Sequence, residues 1–309
     1  MRIETRNASR ALATIMTVFL LTVTIATVSV GAEPKIIKVP DNYPTIQEAI
    51  NSALPGDKII VGPGEYYGAI VNKSVEIMGE GGAVIVDGPP YGLDSTINIG
   101  FFLEAWTSSG ATISGFTFFV DLPVFGRVVD EVTVEHNIMN APFQGVTCVC
   151  GNRWVIRYND INGLTNLTTG GLGIWIVSSW ILNLPANDNL VAFNKITADF
   201  PVSIDINAGI ALSSWGGQVT GNKVVHNRIV MTGWIGWTFA IAMAAWNQTL
   251  PPQTYMLGNM IGFNDLRRSS YDFVFCYPPE LVNYNVISRN LGENRAYDGV
   301  PPHIFNPAV

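Results

Sequence analysis

Histidine is scarce in this chain, three residues in 309. That removes the side chain that most often titrates near neutrality and most often ligates metals. Cysteine is equally scarce, and three is an odd number that fits no closed disulfide framework. Cys148 and Cys150 lie two apart at the inward parity of one strand and read as small buried hydrophobes. A soft-metal pair there lacks a convergent third ligand, so no metal site is expected from them. Basic residues are the minority sign, 17 Lys and Arg against 24 Asp and Glu. A mildly acidic surface argues against nucleic acid or anionic lipid as a partner.

What the chain has in abundance is one repeated phrase. Val134-Glu135-His136-Asn137-Ile138-Met139 returns as Ile156-Arg157-Tyr158-Asn159-Asp160-Ile161, and again around Asn194, Asn227, Asn264 and Asn285. The pattern is aliphatic, any, aromatic or His, Asn, any, aliphatic. Ile113-Ser114-Gly115-Phe116 fits it upstream, with Phe116 in the Asn place. From Phe116 to Asn285 the steps are 21, 22, 35, 33, 37 and 21 residues, a short base period with inserts in the middle turns.

The aliphatic and aromatic residues of each phrase lie two apart, the spacing at which strand side chains share a face. Both are expected to point inward, His136 and His226 with them, and the chain to bend at Asn. A single coil cannot bury its own apolar face, so coils must stack about 4.8 Å apart in parallel sheets around one interior. Asn137, Asn159, Asn194, Asn227, Asn264 and Asn285 then form an internal ladder of amides bonded from coil to coil. The residue after each Asn reads Asp160, Lys195, Arg228 and Asp265 and faces outward as a charge ladder.

A second phrase aligns Gly209-Ile210-Ala211-Leu212 running on to Trp215 with Ala240-Ile241-Ala242-Met243 running on to Trp246. Gly173-Ile174-Trp175-Ile176, running on to Trp180, and Gly145-Val146-Thr147-Cys148 match it more loosely. Two strand phrases per coil describe an all-β solenoid. From Ile36 to Ile287 the chain resembles the right-handed parallel β-helix, pectin lyase-like superfamily, which includes pectate lyases, polygalacturonases and pectin methylesterases. The fold that the resemblance implies is a right-handed parallel β-helix.

The two ends differ from the middle. Arg2, Arg6 and Arg10 precede an uncharged apolar run from Ala11 to Gly31. Residues 1–32 therefore read as a secretory signal peptide or an uncleaved anchor, placing the rest secreted or at the cell surface, with membrane contact only through that segment. The β-helix is expected over 33–295, with a helical cap at 44–55 in which Thr45 and Glu48 form a capping box. Residues 296–309, with Pro301, Pro302 and Pro307, read as a loose tail. Asn72, Asn166 and Asn247 are glycosylation sequons.

The resemblance implies chemistry that the residues only partly supply. Lyases of this fold bind calcium through clustered Asp, and the related hydrolases present paired Asp; neither cluster is evident, nor are the polygalacturonase Asn-Thr-Asp, Asp-Asp and Gly-His-Gly signatures. No cofactor is evident, and calcium enters only if the protein is a lyase. Tyr271-Asp272-Phe273-Val274-Phe275 resembles the motif of the methylesterase nucleophile, but Gln248 stands where that family has its acid. Asp199, Asp205, Asp130 and Glu131 remain as scattered carboxylates, of which Asp199 and Asp205, six apart, are the candidate acid pair.

Tryptophan is the stronger signal, with seven of the eight between Trp154 and Trp246. Trp175, Trp180, Trp215 and Trp246 form a candidate outward strip for stacking on sugar rings. Three readings follow: a polysaccharide- or cell-wall-glycan-binding protein, a polysaccharide lyase or glycoside hydrolase with another acidic site, and a structural or adhesive protein.

Overall fold

The computed structural model describes residues 33–90, 97–141, 143–164, 171–179, 182, 184–200, 207–233, 238–246, 254–270, 272 and 274–292. The expected leader, Asn166, Asn247, Trp180, Asp205 and the tail beyond 295 lie outside the described residues. The chain divides into Met1–Pro34 and a compact unit Lys35–Val309.

Among the described residues the strands form three sheets, of ten, seven and eight strands, here called first, second and third in the order a coil visits them. One coil runs Leu190–Ala192, Lys195–Phe200 and Asn207–Trp215; the next runs Lys223–Val225, Arg228–Gly233 and Thr238–Ala245. Each strand pairs in parallel with its counterparts in adjacent coils, as Val191 does with Ile156 and Val224. Parallel crossovers wind right-handed, and the architecture is the right-handed parallel β-helix that the resemblance implied. One apolar cluster fills the interior from Ile37 to Leu281.

The corner between the first and second sheets holds the ladder. Asn159 donates from Nδ2 to the Val134 carbonyl at 2.9 Å and to Asn194 Oδ1 at 3.0 Å, and its backbone N–H reaches the same oxygen at 3.1 Å. Asn194 bonds Asn227, and Asn227 bonds Asn264, in the same way. The series begins under Phe116, whose N–H donates to Asn137 Oδ1. It ends on Asn290, which accepts from Asn264.

Asn285 is therefore not in this series, contrary to expectation. It closes a second ladder at the corner between the third and first sheets, where Asn189, Asn222, Asn259 and Asn285 are bonded in turn. That ladder also begins under an aromatic residue, Trp154, whose N–H donates to Asn189 Oδ1 at 2.8 Å. Val282-Asn283-Tyr284-Asn285 imitates the repeat, but Pro279–Asn283 is a 3-10 turn and the last first-sheet strand is Val286–Ser288, in register with Met260–Gly262.

The residue before each ladder Asn also differs from expectation. His136, Tyr158, Phe193, His226 and Phe263 have φ between 55° and 60°, so the left-handed turn is made there and not at Asn. That turn breaks the strand parity: the aromatic side chain swings outward and the amide inward. The five rings stack in one external column at 5.0 to 5.2 Å between centroids. Tyr158, Phe193 and Phe263 are 44%, 47% and 38% exposed. Gly115 holds the same place one coil earlier, and Arg289 one coil later lays its guanidinium over Phe263 at 5.4 Å. A left-handed non-Gly residue costs about 1–2 kcal/mol, and each ring pair recovers about 0.5–1.5 kcal/mol, so the column offsets part of its own strain. Beside it, the expected outward charges are present, with Lys195 Nζ 2.8 Å from Asp160 Oδ2.

At the N-terminal end the helix Ile46–Ser52 buries Ile46, Ala49 and Ile50 over the first coils. Thr45 Oγ1 accepts the Glu48 N–H at 3.2 Å. The Gln47 amide imitates a strand, accepting from Ile70 N–H and donating to Ile70 O, which occupies an edge that would otherwise be open. Lys73 Nζ donates to the carbonyls of Ile50, Asn51 and Ala53 at 2.7 to 2.9 Å, a cation at the negative end of the helix. Asp57 accepts the Leu54 and Lys35 N–H groups, and those donors hold its carboxyl below the ordinary carboxylate range.

Asn194→Ala leaves several buried donors and acceptors open and is expected to destabilise by about 3 kcal/mol or more in a urea titration, against less than about 0.5 kcal/mol for Lys195→Ala. At Phe193, Gly is expected to be better tolerated than Ala by about 1 kcal/mol, the reverse of the usual strand order, because only Gly is free of the left-handed strain. Asp57 stabilises the cap above the unfolded carboxylate pKa. That contribution is expected to vanish as pH falls through its lower folded value, so an acid melting series should show a steeper loss for the native protein than for Asp57→Asn.

Candidate functional site

The third sheet starts where two coils come closest. A Cβ placed on Gly145 or Gly173 would lie 2.5 or 2.4 Å from the next coil's carbonyl, and one on Gly209 would lie 2.4 Å from Ile229 Cγ2 and 2.8 Å from the Ala240 carbonyl. The glycines that open the second phrase are thus demanded by space, and Ala240 closes the series. From there Ile210 and Leu212 pair with Ile241 and Met243 inside the solenoid, while Trp175, Ala211, Ala242 and Phe275 are in register on the outer face.

That outer strip is not open. Ala211 and Ala242 are 5% and 4% exposed and join Ala208, Phe239 and Phe275 in an apolar cluster outside the solenoid. Phe239 and Phe275 stack at 4.3 Å. Trp175 packs against this cluster and donates its indole N–H to Ser213 Oγ at 3.0 Å. Trp215 and Trp246 are placed differently, at the far end of the strands on consecutive coils and half-buried. Their rings lie 6.0 Å apart at 33°, and Tyr277 extends the series at 5.2 Å from Trp246. The Trp215 indole nitrogen is shielded and has no hydrogen-bond acceptor among the described residues. Tyr277 was not among the expected residues; it ends the third-sheet strand Val274–Tyr277 in register with Ala244, two residues before Trp246.

The acids are dispersed. Asp199 stands on the outer face of the second sheet, where Thr232 Oγ1 donates to it at 2.7 Å. It borders an open depression of about 380 Å³ shared with Asn162, Thr197 and Thr232, in which it is the titratable residue among the described lining. Asp272 is half-buried just before the strand Val274–Tyr277, and Asp205 lies outside the described residues. Asp130 and Glu131 are engaged by Arg153 at 3.7 and 3.0 Å. Glycoside hydrolysis uses two carboxyl groups about 5–9.5 Å apart, and Asp199 supplies one. Among the described residues no three His, Cys, Asp or Glu side chains gather as metal ligands.

The remaining chemical groups are structural. His136 and His226 are members of the exposed ring column, not interior residues. Cys148 is in the core, and burial drives its thiol up. Burial also raises Cys150 to about 11 and Cys276 to about 12, which leaves none of the three as a ready thiolate.

No protein family matches the chain, and no curated protein is significantly similar to it. Among solved structures, an alginate lyase from Paenibacillus sp. str. FPU-7 is 13% identical over 86% of this chain and 98% of its own, with a TM-score of 0.46. A family 28 exopolygalacturonase from Yersinia enterocolitica is 11% identical over 85% of this chain and 67% of its own, with a TM-score of 0.42.

Proposed function

We propose that this protein is a secreted or surface-displayed β-helix that binds polysaccharide through the aromatic series Trp215, Trp246 and Tyr277. The observation that carries this reading is the series itself: one half-buried ring per coil on three consecutive coils, with Tyr277 at the edge of the outer apolar cluster and Trp215 and Trp246 beyond it. The rings of this series are tilted by 30° and 33°, whereas those from His136 to Phe263 stack within 18° of parallel and cover one another. An indole face takes the C–H face of a pyranose with little loss of side-chain entropy. Binding without turnover fits the acids better than catalysis does, since Asp199 has no second carboxyl among the described lining of its depression.

On an immobilised glycan panel the protein is expected to retain at least one polysaccharide. Trp215→Ala and Trp246→Ala should each weaken retention by about tenfold, the equivalent of about 1.4 kcal/mol. Trp175→Phe, which removes only the indole bond to Ser213, should leave affinity unchanged. Retention that survives the double Trp215→Ala, Trp246→Ala change would refute the assignment.

A further inference from the structure

Charge is distributed very unevenly over the three sheets. The second carries Glu65, Asp87, Asp160, Lys195, Asp199 and Arg228 on its strands, and the first is similarly mixed. The eight strands of the third carry one charged residue, Arg127, three coils before Trp215. The turns that leave the third sheet beside the aromatic series are equally bare. Residues 216–222 and 254–259 contain no Lys, Arg, Asp or Glu, and the turn after Tyr277 contributes Glu280. The described charge nearest in sequence to the series is thus anionic, in a chain whose formal net charge is −7.

A uronate or sulfated polymer brought to such a face gives up the hydration of its anions and meets no cation in exchange, which is a net cost. Proteins that take polyanions repay that cost with Arg or Lys aimed at the carboxylates. Neutral sugar rings carry no such cost, since their hydroxyls exchange water for side-chain and bridging-water contacts while their C–H faces cover indole. We infer that the ligand of the Trp215–Trp246–Tyr277 series is a neutral glycan chain, to the exclusion of polyuronates. This rests on the carbohydrate reading above and narrows it to one class of substrate.

The test uses the full chain in native affinity electrophoresis. Neutral gels contain xylan, β-glucan, mannan or hydroxyethylcellulose; anionic gels contain alginate or polygalacturonate. Each gel is run at low and at high NaCl. Retardation is expected in at least one neutral gel, changed less than twofold by salt and reduced about tenfold by Trp215→Ala or Trp246→Ala. Quenching of tryptophan fluorescence by oligosaccharides of the retained glycan is read on the unaltered protein, so the result does not depend on a variant that folds poorly. Retardation by alginate or polygalacturonate that is lost in the same Trp variants overturns the neutral-glycan inference and leaves the carbohydrate reading intact. No retardation in any gel, or retardation indifferent to both Trp changes, overturns both.

Discussion

Bending a buried strand leaves peptide groups at the corner with no partner in either flanking sheet, and a stack of coils multiplies that problem along its whole axis. Side-chain amides solve it because one group both donates and accepts, so each Asn can serve the coil before it while receiving from the coil after it. The corner between the first and second sheets and the corner between the third and first are both closed in this way. Everything else in the molecule hangs on these two lines. The inward aliphatic residues align because the amides align, and the outer side chains fall into columns for the same reason.

Much of this was legible in the amino-acid sequence. The recurrence of Asn at 22, 35, 33 and 37 residues announces a stack of coils whatever the inserts, and the glycines at Gly145, Gly173 and Gly209 announce the close approach. The second ladder was legible too, as Asn189, Asn222 and Asn259 five residues before Asn194, Asn227 and Asn264. The direction of Tyr158 and Phe193 was not legible. Alternation places them inside, and only a left-handed backbone angle, invisible in residue type for an aromatic, reverses that. Asn285 was misassigned because local likeness to the repeat outweighed the register of the strand that follows it.

The candidate site was legible in part. Trp215 and Trp246 stand out as equivalent residues on consecutive coils, but Tyr277 pairs with Ala244 and joins them only through its ring contact with Trp246. Trp175, which looked like their companion, belongs with Phe239 and Phe275 in a packed layer because Ala211 and Ala242 leave room for large neighbours to close over it. The division of labour among the sheets follows from the same columns. Two walls carry ion pairs, and the third is nearly free of charge along its strands.

The three-residue strand between the two ladders has a further consequence. Asn189 and Asn194, Asn222 and Asn227, Asn259 and Asn264, and Asn285 and Asn290 all stand five apart, while the length of chain from one such pair to the next ranges from 26 to 37. One wall keeps strict time and the others absorb all growth. A segment cut from one pair to the next is therefore an interchangeable module: spliced in at another pair, it finds the same amides waiting on either side. Lengthening or recombining this protein is a matter of adding floors to a building whose stairwell never changes.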